Sequence, residues 1–308
     1  MNATHHSSLP TSIPQYLAQL RAALAGADPA LVQDALYDAE EYLRSELAEH
    51  PDQSEADVIA AVAGSYGAPG EVADIYRDTE VRVQTALRAP PPPPRHSALG
   101  RFFGVAADPR TYGALFYSIL ALATGTFYFT WVVTGISLSL GLSVIIIGIP
   151  FVILFLGSVR LLALVEGRIV EVMLGERMPR RPVYAARERP VLARIGEMFT
   201  DPRTWTTLLY MLAMLPLGVV YFTLAVTLLA TSLGLVIAPP LVLLGAFDGW
   251  SLSGGWLGYW EPATTLGAWE LPIAFACGVV LLFATLHLLR GIGRLHGQLA
   301  KHLLVQSA

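Results

Sequence analysis

Residues Asp108–Tyr112 read DPRTY and residues Asp201–Trp205 read DPRTW, 93 positions later, and each pentad stands at the head of a long apolar run. Such an aspartate caps a helix N-terminus, and a proline at the first helical position has no amide proton to waste. The arginine meets lipid head groups and the aromatic ring sits in the interfacial belt, so the pentad starts a membrane helix. The likeness continues at the same offset. Tyr117 matches Tyr210, Gly125 matches Gly218, YFT at 128–130 matches YFT at 221–223, and SLGL at 139–142 matches SLGL at 232–235. A two-helix unit is therefore duplicated, and because each copy starts and ends on one side, the copies are parallel repeats about an axis along the membrane normal.

Composition agrees with a membrane protein. The mean hydropathy is +0.53, and of the 308 residues 54% are hydrophobic and 14% charged, which is too apolar for one water-soluble globule. Residues 111–159, 204–247 and 271–289 contain no Asp, Glu, Lys or Arg. Four membrane helices are expected near 113–134, 141–163, 206–230 and 271–290, the first two joined by a turn at Thr134–Leu140. All 15 basic residues after position 89 fall on one side of these spans, nine of them between Arg160 and Arg203. The positive-inside rule makes that side cytoplasmic, with both termini inside a bacterial inner membrane crossed several times.

Residues 14–88 have a different character, with 14 Asp and Glu against 5 Arg over residues 1–89. Helical spacing of Leu17, Leu20 and Leu24, then of Val32, Leu36, Ala39, Leu43 and Leu47, predicts a small soluble helical bundle. Asp28-Pro29 and the SEAD run at Ser54–Asp57 are helix starts. Asp34, Asp38, Glu41 and Glu49 form an acidic face, read as solvated charge in preference to a docking surface. The five prolines at 90–94 form a spacer, expected to hold the bundle roughly 15 Å from the membrane domain. The division is then a disordered tail at 1–13, which carries no secretory signal, the bundle at 14–88 and a proline-rich linker at 89–100. A first membrane repeat with an Arg-rich loop occupies 101–194, and a second repeat 195–302. The fold class is all-α.

The second halves of the repeats differ. Pro150 in the first is expected to kink or break its helix; Pro239 and Pro240 in the second leave about 16 apolar residues before Asp248, a stretch that either re-enters or lies at the outer surface. An insertion at about 248–270 comes next, with Trp250, Trp256, Tyr259, Trp260 and Trp269. These rings are interfacial anchors or, alternatively, a cap that binds an apolar or glycan-like ligand. Asp108, Arg110, Asp201 and Arg203, with Glu166 and Arg168, are candidate contacts to lipid phosphate or to a partner, and Glu166 and Glu171 are expected to pair with Arg168 and its neighbours. The single cysteine, Cys277, forms no intramolecular disulfide.

The motifs DPRTY, YFT, SLSLGL, GIP, Glu166 with Arg168, and LGE at Leu174–Glu176 resemble the bacterial "putative sensor" membrane domain. In the second copy APP replaces GIP, and Ile292 stands where a glutamate is expected before Arg294. Residues 14–88 are similar to the HAAS signalling domain through YLAQLRAAL, DALYDAEEYLRSEL and GSYGAPGEVADIYR. The resemblance implies a membrane sensory role beside a histidine kinase or transcriptional regulator, without nucleic-acid binding of its own. The lipid bilayer is one partner and a second copy of the chain a candidate one. No catalytic motif, metal cluster or cofactor site is legible, so a non-enzymatic sensor is the first reading. The alternative is a small transporter or lipid-binding accessory subunit with its site at the proline-broken helices.

Overall fold

In the computed structural model, residues 10–87, 97–142, 148–179, 196, 199–245, 251–252, 264–265 and 269–305 are described. The Asp28 carboxylate accepts from the Ala30 amide at 2.9 Å, with Pro29 at the first helical position, and starts α2 (Pro29–Glu49). Ser54 caps α3 (Glu55–Ser65) through the Asp57 amide at 3.3 Å, and its hydroxyl donates to the Asp57 carboxylate at 2.6 Å. Together with α1 (Ile13–Ala23) and α4 (Pro69–Leu87) they close a bundle around Tyr16, Leu20, Leu43 and Ile59, each at most 1% exposed. Gly67 adopts φ 120°, open to glycine, and its carbonyl accepts from the Tyr16 hydroxyl at 2.7 Å, which anchors the α3–α4 turn on α1.

A short helix α5 (Ala98–Phe103) and a 3-10 turn (Gly104–Ala107) lead into four long apolar helices. These are α6 (Pro109–Leu142), α7 (Gly148–Leu174), α8 (Pro202–Leu243) and α9 (Glu270–Leu304). All four are long and apolar enough to span a bilayer at about 1.5 Å per residue. Their outer faces carry exposed Phe116, Leu154 and Leu209, the surface that lipid covers.

The duplicated pentads do the same work twice. The Arg110 amide donates to Asp108 Oδ1 and the Arg203 amide to Asp201 Oδ1, both at 3.0 Å. Each aspartate also binds an arginine from the second helix of the other repeat: Arg290 to Asp108 at 2.5 Å and Arg160 to Asp201 at 3.2 Å. The pentad aromatics brace matching carbonyls, Tyr112 on Ala106 at 2.7 Å and Trp205 on Phe199 at 2.9 Å. Between the repeats, a Cβ on Gly125 would lie 2.3 Å from the Met214 carbonyl oxygen, and one on Gly218 2.2 Å from that of Ala121. Since 121 and 125 are the 93-residue equivalents of 214 and 218, each helix presents the same glycine to the same carbonyl of its copy. Helices α6 and α8 thus cross in parallel about a pseudo-two-fold axis, a backbone-on-backbone contact of the small-residue kind.

Several expectations about the spans need correction. The stretch Thr134–Leu140 is no turn: α6 stays helical to Leu142, and Gly135 lets the Phe155 ring of α7 pack against the helix there. Pro150 occupies the first turn of α7, where a missing amide proton costs nothing, and does not break it. Pro239 and Pro240 lie inside α8, which runs unbroken from Pro202 to Leu243, so the part of 232–247 that is described, up to Gly245, neither re-enters nor turns along a surface there. Pro216 is also within α8. Within the insertion before α9, Ser251–Leu252 pair antiparallel with Thr264–Thr265.

The prolines at 90–94 lie outside the described residues, but the separation expected of them is absent. The bundle rests on the membrane helices. Lys301 of α9 meets Asp28 at 2.5 Å, Arg177 just after α7 pairs with Asp34 at 3.5 Å and with Glu80, and the Arg203 guanidinium donates to Gln33 at 2.8 Å. Ala30 is fully buried in the core shared with α6 to α9. The acidic face divides accordingly. Asp34 is 5% exposed and paired, Asp38 accepts from the Tyr76 hydroxyl at 2.8 Å, and only Glu41 and Glu49 face solvent. Burial, reinforced by the bond to Asp38, raises the Tyr76 hydroxyl pKa above the ordinary tyrosine value.

Candidate functional site: a polar network buried between the repeats

Glu166 is fully buried in α7, among apolar helices where an ionisable side chain is costly and marks a functional site by default. Three tyrosines supply its hydrogen bonds. The Tyr117 and Tyr210 hydroxyls donate to Oε1 at 2.7 and 2.9 Å, and the Tyr128 hydroxyl donates to Oε2 at 2.9 Å. His296 of α9, 1% exposed, lies on the far side of the same tyrosines, with Nε2 2.6 Å from the Tyr117 oxygen and 3.0 Å from that of Tyr210. Its Nδ1 is 3.4 Å from the Tyr221 hydroxyl.

Taking Glu166 as ionised, the hydrogen positions follow from counting donors. With Glu166 ionised, all three tyrosine hydrogens are spent on the carboxylate, so the oxygens of Tyr117 and Tyr210 can only accept. His296 therefore carries its proton on Nε2 and leaves Nδ1 as the acceptor for Tyr221. Every polar atom is then satisfied, and the group holds one net negative charge. No Arg or Lys bonds to any of the six side chains among the described residues, so the hydroxyl dipoles alone stabilise that charge.

The network repeats the internal symmetry. Tyr117 and Tyr210 are equivalent by the 93-residue offset, as are Tyr128 and Tyr221. Tyr128 serves Glu166 in the first repeat, whereas Tyr221 serves His296 in the second. In the second copy Ile292 replaces the acid, and the histidine one helical turn later reaches the same centre from the other side. Each of the four membrane helices contributes at least one member.

The expectation that Glu166 pairs with Arg168 at the surface is corrected: Arg168 instead binds Glu171 and reaches the Pro179 carbonyl at 3.4 Å, while Glu166 points inward. Asp108 and Asp201 are caps and ion-pair partners, Arg110 is exposed, and Arg203 is engaged by the bundle. A cleft of about 90 Å³ lies beside Arg203, bordered by Gln33, Arg160, Asp201 and Thr204. Trp250, Trp256, Tyr259 and Trp260 lie outside the described residues, and Trp269, 71% exposed, stands at the start of α9.

Comparison with known proteins divides the chain in the same way. The family model described as "Putative sensor" matches residues 117–304. The chain belongs to that family. Its matched span begins at Tyr117 and contains all six members of the buried network. A second family model, HAAS, matches residues 15–74, which covers most of α1, all of α2 and α3 and the start of α4. No curated protein and no solved structure matches the chain. Both matching families are associated with sensing and signalling, and the four spans make this member of the Sensor family a membrane protein.

Proposed function

We propose that the protein is a non-enzymatic sensor of the bacterial inner membrane whose helical bundle is its output module, held against the membrane domain until a stimulus releases it to a cytoplasmic regulator or kinase. The observation that carries this reading is the docked bundle itself. Asp28, Asp34 and Glu80 are held by Lys301 and Arg177, which project from the ends of the two helices that also contribute His296 and Glu166. The polar part of the contact is a few ion pairs at two helix ends, so a small displacement of either end is enough to break them. A transport reading finds no support in the prolines, since α8 passes through Pro239 and Pro240 without interruption.

The experiment is co-purification from native membranes. Wild-type protein and an Arg177→Ala, Lys301→Ala double variant should recover the same cytoplasmic partner, the variant several-fold more of it, and a chain lacking residues 1–89 none. Recovery that ignores the bundle, or substrate flux in reconstituted vesicles with no partner at all, would overturn the reading. Orientation is checked separately in a Cys277→Ser background: a cysteine at the exposed Leu244 should react with an impermeant thiol reagent in whole cells, and one at Gln53 should react only after lysis. The reverse pattern would invert the topology.

A further inference from the structure

We infer that Glu166 and His296 form a proton-binding site inside the membrane domain, and that its occupancy controls docking of the helical bundle; the second half rests on the output role proposed above. In the unprotonated state the group carries one net negative charge with Nε2–H of His296 donating toward Tyr117 and Tyr210. The titratable side chains that face this centre are Tyr117 and Tyr128 from α6, Tyr210 and Tyr221 from α8, and Glu166 and His296 themselves from α7 and α9.

A proton from water can be accepted by one rearrangement that keeps the chain from Glu166 through Tyr117 to His296 hydrogen-bonded and gives up the Nε2–H contact to the Tyr210 oxygen. It forms a bond to His296 Nδ1, the nitrogen held only by the 3.4 Å contact to the half-buried Tyr221. The Nε2–H bond breaks and its proton passes to the Tyr117 oxygen, 2.6 Å away. The hydrogen that Tyr117 held passes across 2.7 Å to Glu166 Oε1. The chain has then reversed: the Glu166 acid donates to Tyr117, Tyr117 donates to Nε2, and Nδ1–H donates to the Tyr221 oxygen. Charge goes from minus one to zero, and one hydrogen, that of Tyr221, loses its acceptor. The change is therefore delivered to the contact between α8 and α9, at the end of the chain that is not fully enclosed.

That contact lies next to the docking pairs. Gly297 adjoins His296 and packs so closely on Glu176 that a Cβ there would lie 2.6 Å from the Glu176 side chain. Arg177 is the next residue on that side, and Lys301 lies about one turn further along α9. Both cations must be in register to reach Asp34, Glu80 and Asp28 on one bundle. Displacing the end of α9 against the end of α7 breaks that register, so proton binding releases the bundle.

The test uses the full chain in lipid nanodiscs, in the Cys277→Ser background. Infrared difference spectra between about pH 8 and about pH 5 should show loss of a carboxylate band with a coupled tyrosine signal, and both should vanish in Glu166→Gln and His296→Gln. Spin labels at the exposed positions Ala61 and Gln298 report docking. The docked distance should lose at least about threefold of its population on acidification in the parent and stay constant in both variants. Absence of the carboxylate and tyrosine changes in the parent overturns the proton site. Spectral changes with an unaltered distance overturn the control of docking, while leaving the partner experiment as the separate judge of the output role. Acid release that persists in both variants assigns it to the surface carboxylates and likewise overturns the inference.

Discussion

Replacing Gly218 with alanine is expected to destroy the packed membrane domain. The added Cβ would lie 2.2 Å from the Ala121 carbonyl oxygen and 2.7 Å from its carbon, and neither is a flexible side chain that can swing away. Relief requires α6 and α8 to separate along the pseudo-two-fold axis, which forfeits backbone contact on both sides and pulls Tyr117 away from Tyr210. A cost of about 3 kcal/mol or more is expected, at the upper end for overpacking, and Gly125→Ala should match it because its Cβ meets the Met214 carbonyl in the same way. Gly234→Ala is the control. Nothing lies within 4 Å of a Cβ there, and alanine favours the helix by about 1 kcal/mol over glycine. Thermal stability in detergent, measured by size-exclusion chromatography after heating, should show both axis variants aggregating and the control unchanged or more stable. If Gly218→Ala survives heating like the parent, the helices do not cross at this contact.

The axis could be read from the sequence because duplication leaves identities at fixed offset, as in the pairs Tyr117 and Tyr210, Gly125 and Gly218. The same pairs held the signal for the buried network. Tyrosines at equivalent places in two otherwise apolar helices need partners, and a polar hydroxyl repeated at the same depth points to a shared one. What sequence could not supply was the partner. Glu166 is two residues from Arg168 and five from Glu171, so its neighbours along the chain suggest a surface ion pair. On a helix, however, a two-residue step turns about 200°, which puts Arg168 on nearly the opposite face from Glu166. His296 was hidden for a related reason: it comes after Arg290 and Arg294, which mark the end of the uncharged run. In the structure Arg290 is turned to Asp108, Arg294 is exposed, and the helix between them and His296 continues inside the protein.

The docking of the bundle was illegible for a different reason. A proline tract has a predictable length but no predictable direction, and the reach of a spacer does not decide whether the two parts it joins attract one another. Charge did hold a clue, with an acidic N-terminal region and a basic remainder in one chain. Complementary net charge is not a contact. Among the described residues it became one through Arg177 and Lys301, placed where helices α7 and α9 end.

Glu166→Leu should be the most damaging single change in the network, and Glu166→Gln should be distinctly milder. Leucine is close in size and removes a buried charge, which by itself favours the variant. Against that, three tyrosine hydroxyls lose their acceptor at once, and His296 can take a hydrogen at Nε2 from only one of them by changing tautomer, which in turn takes the Nδ1 acceptor from the half-buried Tyr221. Two hydroxyls remain unsatisfied among apolar helices, at about 1–2 kcal/mol each, for a loss of about 2–4 kcal/mol. Glutamine keeps a carbonyl oxygen that can accept from both Tyr117 and Tyr210, and its amide can donate to the Tyr128 oxygen, so about 1 kcal/mol is expected. Tyr128→Phe in the glutamine background should then cost little more, whereas in the parent it removes a bond to the carboxylate; this difference is the coupling energy of that one contact. Denaturation of the purified variants in detergent gives all four values. If leucine proves as stable as the parent, the hydroxyls have found other acceptors. Glu166 would then be dispensable for packing, and the tyrosines would be held in place by something other than its carboxylate.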